Sequence, residues 1–120
     1  MEGYITETAI TAEEALDKCE DRKFNVAIVD LKLPRKDGIW LLEKLNEIKS
    51  KIPVIIITNH PSIETAVQSI KKGAYDYLTK PVNFEELGLI IKKIIERQTL
   101  IAENILLRKQ LKDKYSPKNI

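Results

Sequence analysis

The sequence predicts a single α/β domain, a parallel sheet with helices on both faces. Three observations carry that expectation. Strand-like and helix-like stretches alternate along the chain, and such alternation implies right-handed crossovers onto a parallel sheet. The unbroken apolar run Val54, Ile55, Ile56, Ile57 implies a strand buried on both faces. Three strand-like stretches also end on polar side chains, and in open α/β sheets ligands bind beyond the carboxyl ends of the strands. With 120 residues, 43% hydrophobic and 32% charged, the chain suits one domain with a modest core.

The elements follow in order. Residues 4–9 alternate with period two and are rich in β-formers, which predicts a strand. Thr11 and Glu14 make a capping box for a helix over about residues 12–20. Residues 26–29 form the next strand, which ends at Asp30. A loop follows through Pro34, Asp37 and Gly38. Leu41, Leu42, Leu45 and Ile48 then repeat at helical spacing over residues 39–48. Pro53 opens the strand of residues 54–57, which runs into Thr58. Ser62 with Thr65 starts a helix that carries Ile63, Ala66, Val67 and Ile70 to a stop at Gly73. The strand of residues 75–78 runs through Thr79 to Lys80 and Pro81. Asn83 and Glu86 cap a last helix over about residues 84–112.

That last helix would extend on the order of 40 Å, longer than a domain of this size needs. Leu87, Ile91, Ile94, Gln98, Ile101 and Ile105 follow a 4-3 spacing, and Leu100, Asn104, Leu107 and Leu111 make a second stripe. The first half can pack on the sheet, while the distal stripe has nothing left in the chain to cover it. A partner helix would cover it; the alternative is a helix that frays without a neighbouring domain.

Charge is uneven although its sum is only +2. Seven acidic residues face Lys18 alone between Met1 and Asp21, and eight basic residues lie from Lys92 onward. The basic residues alternate with apolar ones in a helical pattern, so they read as a solvated helix face rather than a nucleic-acid surface. Cys19 is the only cysteine, which leaves no disulfide framework or cysteine metal site. It reads as a small buried hydrophobe. No apolar run reaches the roughly 20 residues that span a bilayer, and the opening residues are no signal peptide; a cytoplasmic location is expected.

The strand ends supply the chemistry. The Asp30 carboxylate can accept a phosphoryl group as an acyl phosphate. Lys80 can neutralise one phosphoryl oxygen and the Thr58 hydroxyl can hydrogen-bond another. The remaining charge calls for a divalent cation such as Mg²⁺, which takes about six oxygen ligands. Asp30 and the Lys32 backbone carbonyl are suitable metal donors, and a further carboxylate is desirable. Taken singly, each residue has a plainer role: a turn former, a satisfied hydroxyl, a solvated lysine. None of the four glycines falls in a glycine-rich phosphate loop. His60, the only histidine, reads as a loop residue, and Trp40 as packed on its helix or at its rim.

Asp30 with Leu33-Pro34 and Asp37-Gly38, Thr58 after its strand, and Gly73-Ala74-Tyr75-Asp76-Tyr77-Leu78-Thr79-Lys80-Pro81 together resemble a response-regulator receiver domain, of flavodoxin-like (CheY-like) fold. The resemblance spans about residues 3–97. It implies Asp30 as phosphoacceptor, Thr58 as switch hydroxyl, Lys80 as phosphate contact, Tyr77 as switch aromatic, and Pro34 and Gly38 as loop formers. Residues 102–111, with Tyr115, Ser116, Asn119 and Ile120, resemble the linker of NtrC-type, sigma-54-dependent activators, which leads into an AAA+ domain. The expected division is therefore a receiver over 1–97 and a linker helix and junction over 98–120.

Receivers of that family begin with a strand bearing an acidic pair and then a helix, whereas this sequence opens where the second strand would start. The resemblance thus implies an N-terminally truncated receiver with an incomplete metal site and weak or absent Mg²⁺ binding. The strand of residues 26–29 would then carry an unpaired buried edge, filled by residues 4–9 or by a second chain. The function expected is acceptance of a phosphoryl group on Asp30 from a sensor histidine kinase. Thr58 and Tyr77 would pass the change to the last helix, controlling dimerisation and transcription activation rather than turning over a substrate. Neither a membrane nor a nucleic acid is an expected partner of this chain. The alternative is a dimerisation module that works without phosphorylation.

Overall fold

The computed structural model describes residues 7–33, 36–48 and 52–114. Along these run α1 (Ala12–Asp21), β1 (Ala27–Asp30), α2 (Gly38–Glu47), β2 (Val54–Thr58), α3 (Ile63–Lys71), β3 (Asp76–Thr79) and α4 (Phe84–Lys114). The three strands form one parallel sheet in the order β1-β2-β3. Each helix start has a physical cause. The Thr11 hydroxyl accepts from Glu14 N at 3.1 Å, and the Glu14 carboxylate accepts from Ile10 N at 3.0 Å. Asp37 caps α2 through Trp40 N at 2.9 Å, and Ser62 caps α3 through Thr65 N at 3.0 Å. Asn83 Oδ1 accepts from both Glu85 N and Glu86 N at the start of α4. Each cap satisfies amide groups that the first turn leaves without a helical partner.

Two apolar clusters sandwich the sheet. One joins α1 and α2 to it through Ala12, Leu41, Leu42, Leu45, Val54 and Ile56. The other packs Leu87, Ile91 and Ile94 of α4 on Ile55. Val54, Ile55, Ile56 and Thr58 are buried, as the unbroken apolar run requires of a central strand. Gly73 ends α3 with φ of 101°, and an added Cβ would stand 2.8 Å from the Asn46 amide nitrogen. The positive φ requires glycine there.

The strand expected over residues 4–9 is not present where it can be checked: Glu7, Thr8 and Ala9 carry no strand pairing, and residues 4–6 lie outside the described residues, as do Pro34 and residues 115–120. Lys18 instead donates to the Thr8 carbonyl, and Glu7 pairs with Arg22 at 2.8 Å. These contacts hold the segment along α1 rather than beside β1. Among the described residues β1 is thus an edge strand. Its flank is open rather than buried, with Ile28 40% exposed. The last helix runs two residues further than the spacing implies and accounts for the elongated outline of 62 × 29 × 28 Å.

Candidate functional site

The parallel register places the strand ends in a common row. Asp30 pairs with Ile57, Ile57 with Leu78, and Thr58 with Thr79. Side chains alternate along a strand, so Asp30 lies on the side of Ile57 and Leu78. Lys80, two residues past Leu78, shares that side. Lys80 Nζ accordingly reaches Asp30 Oδ2 at 2.5 Å, across fifty residues of sequence. Asp30 Oδ1 accepts from Lys32 N at 3.0 Å, which folds the loop after β1 back over the carboxylate. Both partners of the ion pair are about one-third exposed, within reach of an incoming group.

Burial acts to raise the Asp30 carboxyl. The Lys80 hydrogen bond, the Lys32 amide and the Lys80 charge together outweigh it and hold the group below the ordinary Asp value of 3.8. Asp30 is therefore an ionised carboxylate at neutral pH, as a nucleophile toward phosphorus must be.

Gly38 sets the height of this loop. Its N–H donates to the Leu31 carbonyl at 2.8 Å. A Cβ built on it would lie 2.7 Å from the Asp30 carbonyl oxygen and 2.9 Å from Leu31 Cα. The start of α2 can approach the strand end this closely only without a side chain.

Thr58 and Tyr77 occupy the other side of the sheet. The buried Thr58 hydroxyl accepts from His60 N at 3.0 Å, while the Thr58 carbonyl accepts from Lys80 N at 2.8 Å. Among the described residues its hydroxyl makes no hydrogen bond to Asp30 or Lys80. The Tyr77 hydroxyl lies 2.6 Å from Thr65 Oγ1 and accepts weakly from Ser62 N at 3.4 Å. The strand-end residues thus divide into an Asp30–Lys80 pair in contact and two hydroxyls engaged elsewhere.

His60 is a loop residue whose amide serves Thr58. Trp40 is partly buried on the α2 cluster with Lys36 Nζ 5.7 Å from its ring centroid. Cys19 packs partly buried on the same cluster, and burial pushes its thiol up. Asp76 accepts from Tyr77 N at 2.7 Å, a contact between neighbours at the start of β3.

Two contacts go beyond what the sequence pattern implies. Thr65 belongs to the cap of α3 and also binds Tyr77. Gln98 belongs to a helical stripe, and it donates to the Asn25 carbonyl at 2.9 Å and accepts from the Asn25 amide at 3.0 Å. A polar residue interrupting an apolar stripe was the available signal.

A divalent cation can be tested against these donors. Asp30 offers one carboxylate, already engaged on both oxygens, and no group of three His, Cys, Asp or Glu side chains able to hold a metal occurs among the described residues. The set falls short of the roughly six oxygen ligands that Mg²⁺ takes, so the described residues do not make a metal site.

Fold and site together define an α/β domain, a parallel three-stranded sheet with helices on both faces, with a carboxylate and a lysine meeting at the strand ends. The chain belongs to the response regulator receiver domain family, whose model matches residues 1–92. Its curated relatives are regulators of the NtrC family. It is 38% identical over 115 residues to a putative NtrX-like response regulator of Rickettsia typhi, which covers 94% of this chain and 24% of that protein. The chain therefore spans about a quarter of that relative's length. Among solved structures, a CheY-like receiver domain protein from Methanospirillum hungatei is 40% identical with a TM-score of 0.73, covering 82% of this chain and 79% of that one. A response regulator from Burkholderia pseudomallei, described with a phosphorylated aspartic acid, a calcium ion and citrate, is 33% identical with a TM-score of 0.69, covering 85% of this chain and 61% of that one.

Proposed function

We propose that this receiver domain accepts a phosphoryl group on Asp30 from the phosphohistidine of a sensor histidine kinase. The observation that carries this is the 2.5 Å contact between Lys80 Nζ and Asp30 Oδ2 at the carboxyl ends of a parallel sheet. An Asp30 oxygen attacks phosphorus as the P–N bond to the donor imidazole breaks, and the imidazole nitrogen keeps the electron pair. Lys80 then neutralises a phosphoryl oxygen. The Thr58 hydroxyl turns to donate to a phosphoryl oxygen, and Tyr77 follows on the same side of the sheet. The phosphorylated aspartate of the Burkholderia pseudomallei regulator supports the chemistry by likeness.

The output is a change in pairing of α4 with that of a second copy, with the open flank of β1 as a further contact. Residues 1–97 act as receiver and residues 98–120 as linker to the rest of an NtrC-type transcription activator. The role is signalling rather than turnover. Were Mg²⁺ to bind, Asp30 and the Lys32 carbonyl would hold it and it would neutralise phosphoryl charge, but so few oxygen donors would hold it weakly. No helix among the described residues is long and apolar enough to cross a membrane, which suits a cytoplasmic partner of a kinase.

The short donor set for a metal favours one other reading, a dimerisation module indifferent to phosphate. Acetyl phosphate with Mg²⁺, followed by intact mass, separates the two. A phosphoryl adduct that Asp30→Asn abolishes supports the phosphoacceptor. No adduct, with oligomeric state unchanged, supports the module.

A further inference from the structure

Ile28 and Asp30 stand two positions apart on β1, so both side chains leave the same face of the sheet. Asp30 pairs in register with Ile57, and Ile28 with Ile55. The surface beside the carboxylate is therefore apolar. It continues past Lys80 into Val82 and Phe84, at the start of α4, and these residues border a cavity of about 630 Å³ that opens to solvent. Ile28 is 40% and Phe84 75% exposed, although both are large and apolar. Lys80 and Asn59 supply the polar groups of the lining.

That volume falls within the roughly 300–1,000 Å³ of small-molecule sites, which are mostly apolar with a few placed polar groups. The position of the cavity narrows what it can hold. Lys80 Nζ borders the cavity and also contacts Asp30 Oδ2. A phosphoryl group drawn to Lys80 thus lies against the nucleophile, and the rest of its molecule is left to the apolar wall. A second charge on that remainder would stand unpaired among Ile28, Ile57 and Val82, so an uncharged apolar tail fits. Bond energetics narrow the class again. The adduct on Asp30 is an acyl phosphate, and a donor of the same class exchanges one carboxylate for another at little net cost. An alkyl phosphate would have to transfer its phosphoryl group uphill.

We propose that this cavity binds the acyl chain of a small-molecule phosphodonor, a short-chain acyl phosphate of which butyryl phosphate is the type. An Asp30 oxygen bonds to phosphorus as the P–O bond to the acyl group breaks, and the released carboxylate keeps the electron pair. Lys80 holds the phosphoryl oxygens, Asn59 offers its carboxamide to the acyl carbonyl, and Ile28, Ile57, Val82 and Phe84 hold the chain. The inference rests on Asp30 as phosphoacceptor and adds selection among donors by their apolar part.

The test compares acetyl and butyryl phosphate at equal, sub-saturating concentration with Mg²⁺, following labelling of the 120-residue chain by intact mass. Acetate and butyrate are leaving groups of nearly equal basicity, so a difference in rate reports the cavity. Butyryl phosphate should label roughly three- to tenfold faster, because two further methylenes leave water. Hexanoate, which has no phosphate to transfer, should compete and slow labelling by butyryl phosphate. Phe84→Ser and Ile28→Thr, both at exposed positions, should each lower the butyryl-to-acetyl rate ratio by roughly twofold or more. Equal rates for the two donors, or no competition by hexanoate, overturn the inference and leave the phosphoacceptor standing. A preference that both variants keep places the chain on another surface and overturns it as well. No adduct from either donor, or adducts that survive Asp30→Asn, removes the phosphoacceptor and this inference together.

Discussion

The Tyr77 hydroxyl stands 2.6 Å from the Thr65 hydroxyl, which ties the middle of β3 to the first turn of α3. Thr65 also contacts the Ser62 cap, 2.8 Å between hydroxyl oxygens. Any movement of Tyr77 therefore loosens the start of α3 as well. Tyr77→Phe and Thr65→Val should each lower stability by about 0.5–1.5 kcal/mol, the net worth of one hydrogen bond. Combined, they should cost clearly less than the sum, because both remove the same contact. Urea unfolding of the two single variants and the double variant checks this; strict additivity would mean that the hydroxyls do not interact in solution.

The Asp30 carboxyl is held below its ordinary value even though burial acts against it. A depressed carboxyl contributes stability that is fully present above the unfolded value and is lost as pH falls through the folded one. The contribution should therefore persist at neutral pH and fade below about pH 4, where unfolded Asp begins to protonate. Lys80→Met removes the hydrogen bond and the charge but leaves the burial, so the Asp30 titration followed by carbon NMR should move upward. A midpoint that stays in place would show that Lys80 is not the group holding it down.

How much of this was legible in sequence divides along physical lines. β2 was readable because an unbroken apolar run has one stable setting, the middle of a sheet, and Val54, Ile55 and Ile56 are buried there. Asp30, Thr58 and Lys80 were readable as strand ends. That Asp30 meets Lys80 while the Thr58 hydroxyl turns to His60 depends on register and pleat, which only the paired strands define. Residues 7–9 misled because period-two alternation records an amphipathic preference and not the presence of a partner strand. Thr65 and Gln98 were opaque for a related reason: each takes a partner from a distant segment, and a local pattern cannot name it.

The reciprocal pair between Asn25 and Gln98 is the last described contact between α4 and the body before the helix becomes exposed. Gln98→Ala removes both hydrogen bonds, whereas Asn25→Ala spares the Asn25 carbonyl. Gln98→Ala should therefore cost more, with each exposed bond worth at most about 1 kcal/mol. Amide hydrogen exchange should show the change as faster exchange just past residue 95, with Leu87 and Ile91 unaffected. Equal effects from the two variants would mean that the bond to the Asn25 carbonyl contributes nothing.

Gly38 links the site to the fold most directly. Its missing side chain lets α2 sit against the Asp30 carbonyl, and the atoms that a Cβ would strike at 2.7 and 2.9 Å are backbone. Backbone of a strand paired with β2 cannot yield as a side-chain tip can. Gly38→Ala should raise helix propensity at the first position of α2 by up to about 1 kcal/mol, yet the clash should outweigh it and leave a net loss of roughly 1–2 kcal/mol in urea unfolding. The displaced strand end should also carry Asp30 away from Lys80, so labelling by acetyl phosphate should slow under conditions where the variant is fully folded. A Gly38→Ala variant as stable as the parent would mean that the loop gives way easily and does not fix the position of Asp30.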